Sequence, residues 1–407
     1  MSNEQKLGVQ QIELLKTFTS MCHRRNISVF VIEQAVLQYL LSANGSDAPC
    51  TLCSVGDVIT LGVFGSDWEG RGTLDHQLND KGIVLNEMTS PDPRLLSLKR
   101  LKVPSIPTHY IILQSGSIPL HLVVFYKRDD DYWWHSSIEN MGATNGQNLP
   151  GLHLTFGKSA GAYDSFHVAL TVVDGLWLQL PYPVETFLVQ MRKAKFIECD
   201  YQGAQAYLRA NTPKSNNVTP NWAQVLLKAK RALDHIDVPF RICYGTCLGW
   251  YRQCGFIPYT NDIDIDIPIQ NYSPNTVPAF LQAGFKVNVK GKISDNYQMS
   301  INAGSVRMDV YFIYEEETYC WVGTTDRLTG QKYKKVLPKS GTCWTDFMGF
   351  RVRVPCPTLP YITANYGQNW NTSVEQWKWK TQPNTKSNGM VPKEELHSVV
   401  HRYQQVD

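Results

Sequence analysis

The sequence predicts an α/β protein in two parts, a separate N-terminal α/β domain followed by a second α/β domain built on a mixed sheet. Three observations carry this. The chain has 407 residues, and a single hydrophobic core rarely grows past about 250–300 residues. Hydrophobic residues make up 43% and charged residues 18%, a balance that supports packed cores and excludes long disorder. In the second half, helical and alternating segments follow one another as helix, strand, turn and helix, strand, helix, strand.

In the opening segment Val9, Ile12, Leu15 and Phe18 recur at helical spacing. Val29–Leu41 reads as a second apolar helix or a strand pair. From Thr51 to Val173, short β-rich runs (Val58–Val63, Tyr110–Leu113, Leu120–Tyr126 and His167–Val173) alternate with turns rich in Gly, Pro, Asn and Asp. Residues 1–205 are expected to form one domain without a recognisable catalytic signature. His121, His135 and His153 stand alone and lack ligand spacing, so structural roles are expected. Trp133–Trp134–His135, after Asp129–Asp131, reads as a packed strand behind an acidic turn, with a glycan-contacting loop as the alternative.

Several function classes are excluded. The formal charge is +3 and no block of Lys or Arg stands out, so a nucleic-acid groove has no support. Met1–Gln11 lacks the apolar run of a signal peptide. The best membrane candidate, Tyr110–Tyr126, is broken by Gln114, Ser115, Gly116, Ser117 and Pro119. Cys50 and Cys53 form one C-x-x-C without a second pair at zinc spacing. Cys243, Cys247 and Cys254 read as buried thiols. Asn26, Asn44, Asn217, Asn271 and Asn371 begin N-x-S/T sequons, which matter only on a secretory route.

Residues 206–220, whose core is the polar, Pro-containing run Asn211–Asn221, are the expected linker to a second domain over 221–407. Trp222, Val225, Leu226, Ala229, Leu233 and Ile236 have helical spacing, and Asp237–Val238–Pro239 stops that helix. A strand is expected at Phe240–Tyr244, a short helix from Gly245 to Gly255, a strand at Ile263–Ile269, a helix at Pro278–Ala283 and a strand at Val306–Ile313.

The chemistry concentrates in Asp262–Ile263–Asp264–Ile265–Asp266–Ile267. Side chains alternate along a strand, so the three aspartates share one face and the three isoleucines the other. Like charges about 4 Å apart repel by roughly 4 kcal/mol at an effective dielectric near 20. Such a face keeps protons or recruits cations, and hard oxygen ligands favour Mg²⁺ or Mn²⁺. An EF-hand is excluded, because Ile267 stands where its glycine is needed. A solvated strand edge is the plain alternative. Two further features favour a site. Tyr244–Gly245–Thr246–Cys247–Leu248–Gly249 is a glycine turn opening a helix, whose amides suit a phosphate. In Val306–Phe312, Arg307, Asp309 and Tyr311 share a face, so Asp309 brings a further carboxylate from another strand. This order is the nucleotidyltransferase layout and fits metal-assisted phosphoryl transfer. Arg252, on the same short helix, would add positive charge toward phosphates, or lie on the surface.

The segment 244–264, YGTCLGWYRQCGFIPYTNDID, resembles the core motif of the family of fukutin, fukutin-related protein and the LicD phosphocholine transferases. Ile118–Phe125, Thr171–Gly175, Lys195–Cys199, Cys343–Thr345, Val354–Cys356, Ala364–Gly367 with Trp370, and Asn388–Gly389 extend the likeness over both halves. The resemblance implies a nucleotidyltransferase-like catalytic domain. It also implies transfer of ribitol 5-phosphate from CDP-ribitol to a GalNAc on the O-mannosyl glycan of α-dystroglycan, in the Golgi lumen, with release of CMP. Asp262, Asp264 and Asp309 would be catalytic and, with Asp266, would hold Mg²⁺ or Mn²⁺. Gly245, Thr246, Gly249 and Arg252 would bind the donor, and Asp266 or Asp309 would act as base. The N-terminal domain would bind the glycoprotein acceptor, form a homo-oligomer or contact a related ribitol-phosphate transferase. The chain departs from the family in three ways. No membrane anchor is read in this sequence, so either the numbering starts after a removed segment or this relative is expected to be soluble; Asp266 stands where the family carries Gly; and the zinc-binding cysteines of fukutin-related protein have no clear counterpart. Another CDP-alcohol donor, such as CDP-choline or CDP-glycerol, and a non-catalytic partner role are the competing expectations.

Overall fold

The computed structural model describes residues 3–42, 50–52, 58–129, 131–138, 154, 156–212, 217–219, 221–326, 328–375 and 377–403. His153, Cys53, Asp130 and the Asn44 sequon lie outside them, as does part of the expected linker. The chain divides into two compact units, residues 1–96 with 102–197, and residues 97–101 with 198–407. The division thus falls ahead of the expected 206–220 segment, and the Tyr201–Ala210 helix belongs to the second unit. Among the described residues, no helix is long and apolar enough to cross a membrane.

The first unit is a nine-stranded mixed sheet. Ile59–Phe64 pairs in parallel with Leu120–Arg128, and Val29–Val31 pairs in parallel with Leu176–Tyr182. The remaining ladders are antiparallel. The opening helix, Asn3–His23, buries Leu14, Leu15 and Phe18. Val29–Leu41 resolves into a strand and a helix, Gln34–Ser42. His121 and His135 are not isolated. They lie on neighbouring strands with His109, all three buried. The rings of His109 and His121 stack at 5.1 Å between centroids, and His109 Nδ1 lies 2.9 Å from His121 Nε2. Their spacing along separate strands hides this contact from sequence.

The second unit is also a nine-stranded mixed sheet. Its central strand, Val306–Glu315, runs parallel to Asp262–Pro268 and antiparallel to Asp295–Ala303. Ile263, Ile265 and Ile267 are fully buried, as the alternation requires. The expected Phe240–Tyr244 strand shrinks to Arg241–Ile242, because Tyr244 already begins the Tyr244–Gln253 helix. That helix ends on Cys254 in the left-handed conformation (φ 51°), one residue before Gly255. Cys254 forms a disulfide with Cys199, and Cys343 with Cys356. Both corrections concern residues read as thiols or left unpaired. Cys243 and Cys247 remain free and buried.

Candidate active site

The parallel register sets Asp264 directly beside Asp309, and Asp262 beside Arg307. Carboxylate oxygens of Asp262, Asp264 and Asp309 all lie within 4.8 Å of one another. Asp264 and Asp309 are 7% and 2% exposed. Burial and the neighbouring carboxylates push the Asp264 pKa well above the usual carboxylate range, and Asp262 shifts the same way for the same reasons. Opposing forces are visible too. The Gly245 amide donates to Asp264 at 3.0 Å, and Arg307 lowers Asp262. Asp309 accepts from Ser300 and from both Nε and Nη2 of Arg307.

Asp266 does not join this group, although it shares the strand and the alternation. The antiparallel partner strand brings Arg241 opposite it. Arg241 donates to it from Nε at 2.8 Å and from Nη2 at 3.1 Å. Both side chains are almost fully buried. Asp266 is buried with its guanidinium partner and is not among the residues lining the cavity of Asp262, Asp264 and Asp309, so the expectation of Asp266 as a metal ligand or base is corrected.

The glycine turn behaves differently from expectation as well. The Gly245 amide is spent on Asp264, and the buried Thr246 hydroxyl accepts from the Asp264 backbone N–H at 2.8 Å. The Tyr244 N–H donates to the Tyr361 hydroxyl. The helix start therefore positions the aspartate strand. A Cβ at Gly249 would come within 2.5 Å of the Gly255 carbonyl oxygen, so this glycine serves close packing. Arg252 is buried, donates to the Trp370 carbonyl and lies over the Tyr207 ring at 4.7 Å.

A cavity of about 900 Å³ opens onto Asp262, Asp264 and Asp309. Gly245 and Arg252 also line it, with Arg307 and Tyr311 from the Asp309 strand. Residues that sequence reasoning missed complete the wall: Tyr333 and Lys335 from the Gln331–Pro338 strand, and Tyr366, Trp370, Trp377 and Trp379 beyond it. The alternation of Gln331, Tyr333 and Lys335 against Lys332 and Lys334 was the available signal. Lys335 lies 4.3 Å from the Tyr244 ring centroid, and burial pulls its ammonium down to about 8 against the pull of Asp264. Tyr244 itself holds φ at +38°, a left-handed backbone that costs a bulky residue roughly 1–3 kcal/mol.

Oxygen donors converging at this distance, two of them driven toward protonation by burial, suit a hard divalent ion such as Mg²⁺ or Mn²⁺.

Comparison with known proteins agrees in both halves. The Fukutin N-terminal family matches residues 2–219, and the LicD/FKTN/FKRP nucleotidyltransferase domain matches residues 237–357. The ribitol-5-phosphate transferase FKTN of Mus musculus is 34% identical over 409 residues, covering 97% of this chain and 88% of the relative. The Homo sapiens protein of the same name gives the same identity and coverage. An uncharacterised Caenorhabditis elegans protein is 28% identical over 240 residues, 54% of this chain and 60% of its own. The chain therefore belongs to the fukutin family, with its second half in the LicD/FKTN/FKRP nucleotidyltransferase group.

Proposed function

We propose that this chain transfers ribitol 5-phosphate from CDP-ribitol to a GalNAc hydroxyl on the O-mannosyl glycan of an α-dystroglycan-type glycoprotein, releasing CMP. The observation that carries this reading is the convergence of Asp262, Asp264 and Asp309 in one cavity, in a chain whose relatives are ribitol-5-phosphate transferases. Asp262, Asp264 and Asp309 would hold Mg²⁺ or Mn²⁺, which when bound supplies charge neutralisation for the transferring and departing phosphates. Gly245 and Thr246 fix the Asp264 strand through its carboxylate and its amide. In the reaction the acceptor oxygen forms a bond to the phosphorus that carries ribitol. The bond from that phosphorus to CMP breaks, and CMP departs with the electron pair. The acceptor proton passes to Asp309, which lines the cavity with a half-exposed Arg307 as its partner, whereas Asp266 is buried against Arg241 and is not among the residues lining it. Arg252 and the tryptophans of the outer wall offer cation and stacking surfaces for nucleotide and sugar.

The N-terminal unit would bind the glycoprotein acceptor or join subunits, as a homo-oligomer or with a related ribitol-phosphate transferase. The Cys199–Cys254 and Cys343–Cys356 disulfides suit the lumen of the Golgi, which the family resemblance implies. The test is a panel of CDP-ribitol, CDP-glycerol and CDP-choline with a GalNAc-terminated acceptor and Mn²⁺, read by CMP release and product mass. CDP-ribitol should turn over, and EDTA should stop it. Preference for another CDP-alcohol would replace the donor, and absence of CMP release from all three would leave a binding protein.

A further inference from the structure

The positive groups lining the carboxylate cavity are engaged in different ways. Arg307 is paired with Asp309, and Lys380 with Asp326. Arg252 donates to the Trp370 carbonyl and to Gln253. Lys290 also has an interaction partner. Lys335 is different. Among the described residues it has neither an ion pair nor a hydrogen bond, and its ammonium rests on the face of the Tyr244 ring at 4.3 Å. Its neighbour Lys334 shows the ordinary alternative on the opposite face of the strand, lying over Trp321 at 4.2 Å and near Glu316 at 3.9 Å.

Taking an ammonium out of water is costly, and a ring face returns only part of that cost. Tyr244 therefore does not balance Lys335 by itself. The ring is held by a backbone in the left-handed region, by the Tyr361 hydroxyl on its amide, and by an edge contact with Tyr311 at 4.8 Å. A strained, doubly braced aromatic residue thus holds an unpaired cation in the cavity of Asp264. Lys335 and Asp264 line the same cavity. An anion entering the cavity from solution would complete the balance.

We infer that Lys335, carried on the Tyr244 ring, is a ligand for the diphosphate of the donor, binding phosphate oxygens in the cavity that Asp262, Asp264 and Asp309 also line. The inference rests on the proposed transferase reading for the identity of the donor, but the diphosphate chemistry can be tested without turnover. A lysine so placed discriminates a diphosphate from a monophosphate, because its charge acts on the second phosphate as well as the first.

The experiment measures binding of CDP, CMP and inorganic pyrophosphate by calorimetry, in Mg²⁺, to the intact chain and to Lys335→Met and Lys335→Arg. The intact chain should prefer CDP to CMP. Lys335→Met should lower CDP and pyrophosphate affinity about tenfold or more while moving CMP by less than about threefold, and Lys335→Arg should restore part of the preference. An unchanged CDP preference in Lys335→Met, or equal losses for CDP and CMP in a variant that still melts cooperatively, would overturn the assignment in favour of a purely structural lysine. Pyrophosphate binding that depends on Lys335, without turnover of any CDP-alcohol, would remove the transferase reading and leave the ligand assignment standing. An intact chain that bound no diphosphate would overturn both.

Discussion

Asp264 and Asp266 are separated by one isoleucine and held in opposite electrostatic circumstances. Asp264 faces two other carboxylates and is pushed toward protonation by burial and by those charges. Asp266 is buried to 1% exposure but sits in the fork of Arg241. Their neutral variants should therefore differ in sign. Asp264→Asn keeps an acceptor for the Gly245 amide and removes repulsion, so without divalent ions it should raise stability by on the order of 1 kcal/mol and abolish CMP release. Asp266→Ala leaves a buried guanidinium unpaired and should cost about 3–5 kcal/mol, read as a fall in the melting transition. Wild-type turnover in Asp264→Asn would remove the site assignment. The first aspartate was legible because period-two alternation is local. The second was misjudged because its partner lies 25 residues away on a strand of two residues. Lys335 was missed for the same reason, being brought to the cavity by a strand that pairs with another, Tyr319–Thr325.

At the scale of elements, three strands of the first unit, Ser105–Gln114, Leu120–Arg128 and Tyr132–His135, each deliver one histidine to a buried cluster. Burial lowers His121 to about 3 and His135 to about 4, and drives His109 well below its ordinary value with help from the other two. In the unfolded chain these groups titrate near about 6.5, so the unfolded state binds more protons below that pH. The stability present above about pH 6.5 is lost as pH falls toward the folded values of about 3 and 4. A single such histidine should cost about 2 kcal/mol at pH 5 relative to pH 8. Melting of the intact chain should fall steeply over that interval, and His121→Gln should flatten the profile. A flat profile in the unsubstituted chain would contradict the burial of the cluster. The strands themselves were readable from β-rich runs, but which residues they bring together depends on ladder order, which sequence periodicity does not encode. The Tyr244–Gln253 helix shows the same limit. Its glycines marked a turn, yet their use is to seat the aspartate strand and to permit close packing.

Across the whole molecule, each unit rests on a large mixed sheet, as the alternating helical and β-rich segments require. The second was recognisable as a catalytic fold because its carboxylates lie in a local motif. The first carried no such motif and is placed in its family by likeness along its length. The disulfides add a covalent layer that no spacing in the sequence announced. Cys199–Cys254 closes a separation of 55 residues and Cys343–Cys356 one of 13. By chain entropy these closures are worth about 4 and about 3 kcal/mol. Reduction with dithiothreitol should lower the melting temperature by several degrees, and Cys199→Ala with Cys254→Ala should reproduce the larger share.

The Cys199–Cys254 link also bears on how the protein must be produced. It anchors the far end of the helix whose first turn holds Asp264. Polypeptide synthesised in a glutathione-rich cytoplasm would accumulate without that anchor, whereas an expression host that oxidises thiols during export would supply it. The choice of host thus becomes part of any assay, and a preparation scored as inactive should first be checked for unreacted sulfhydryl groups.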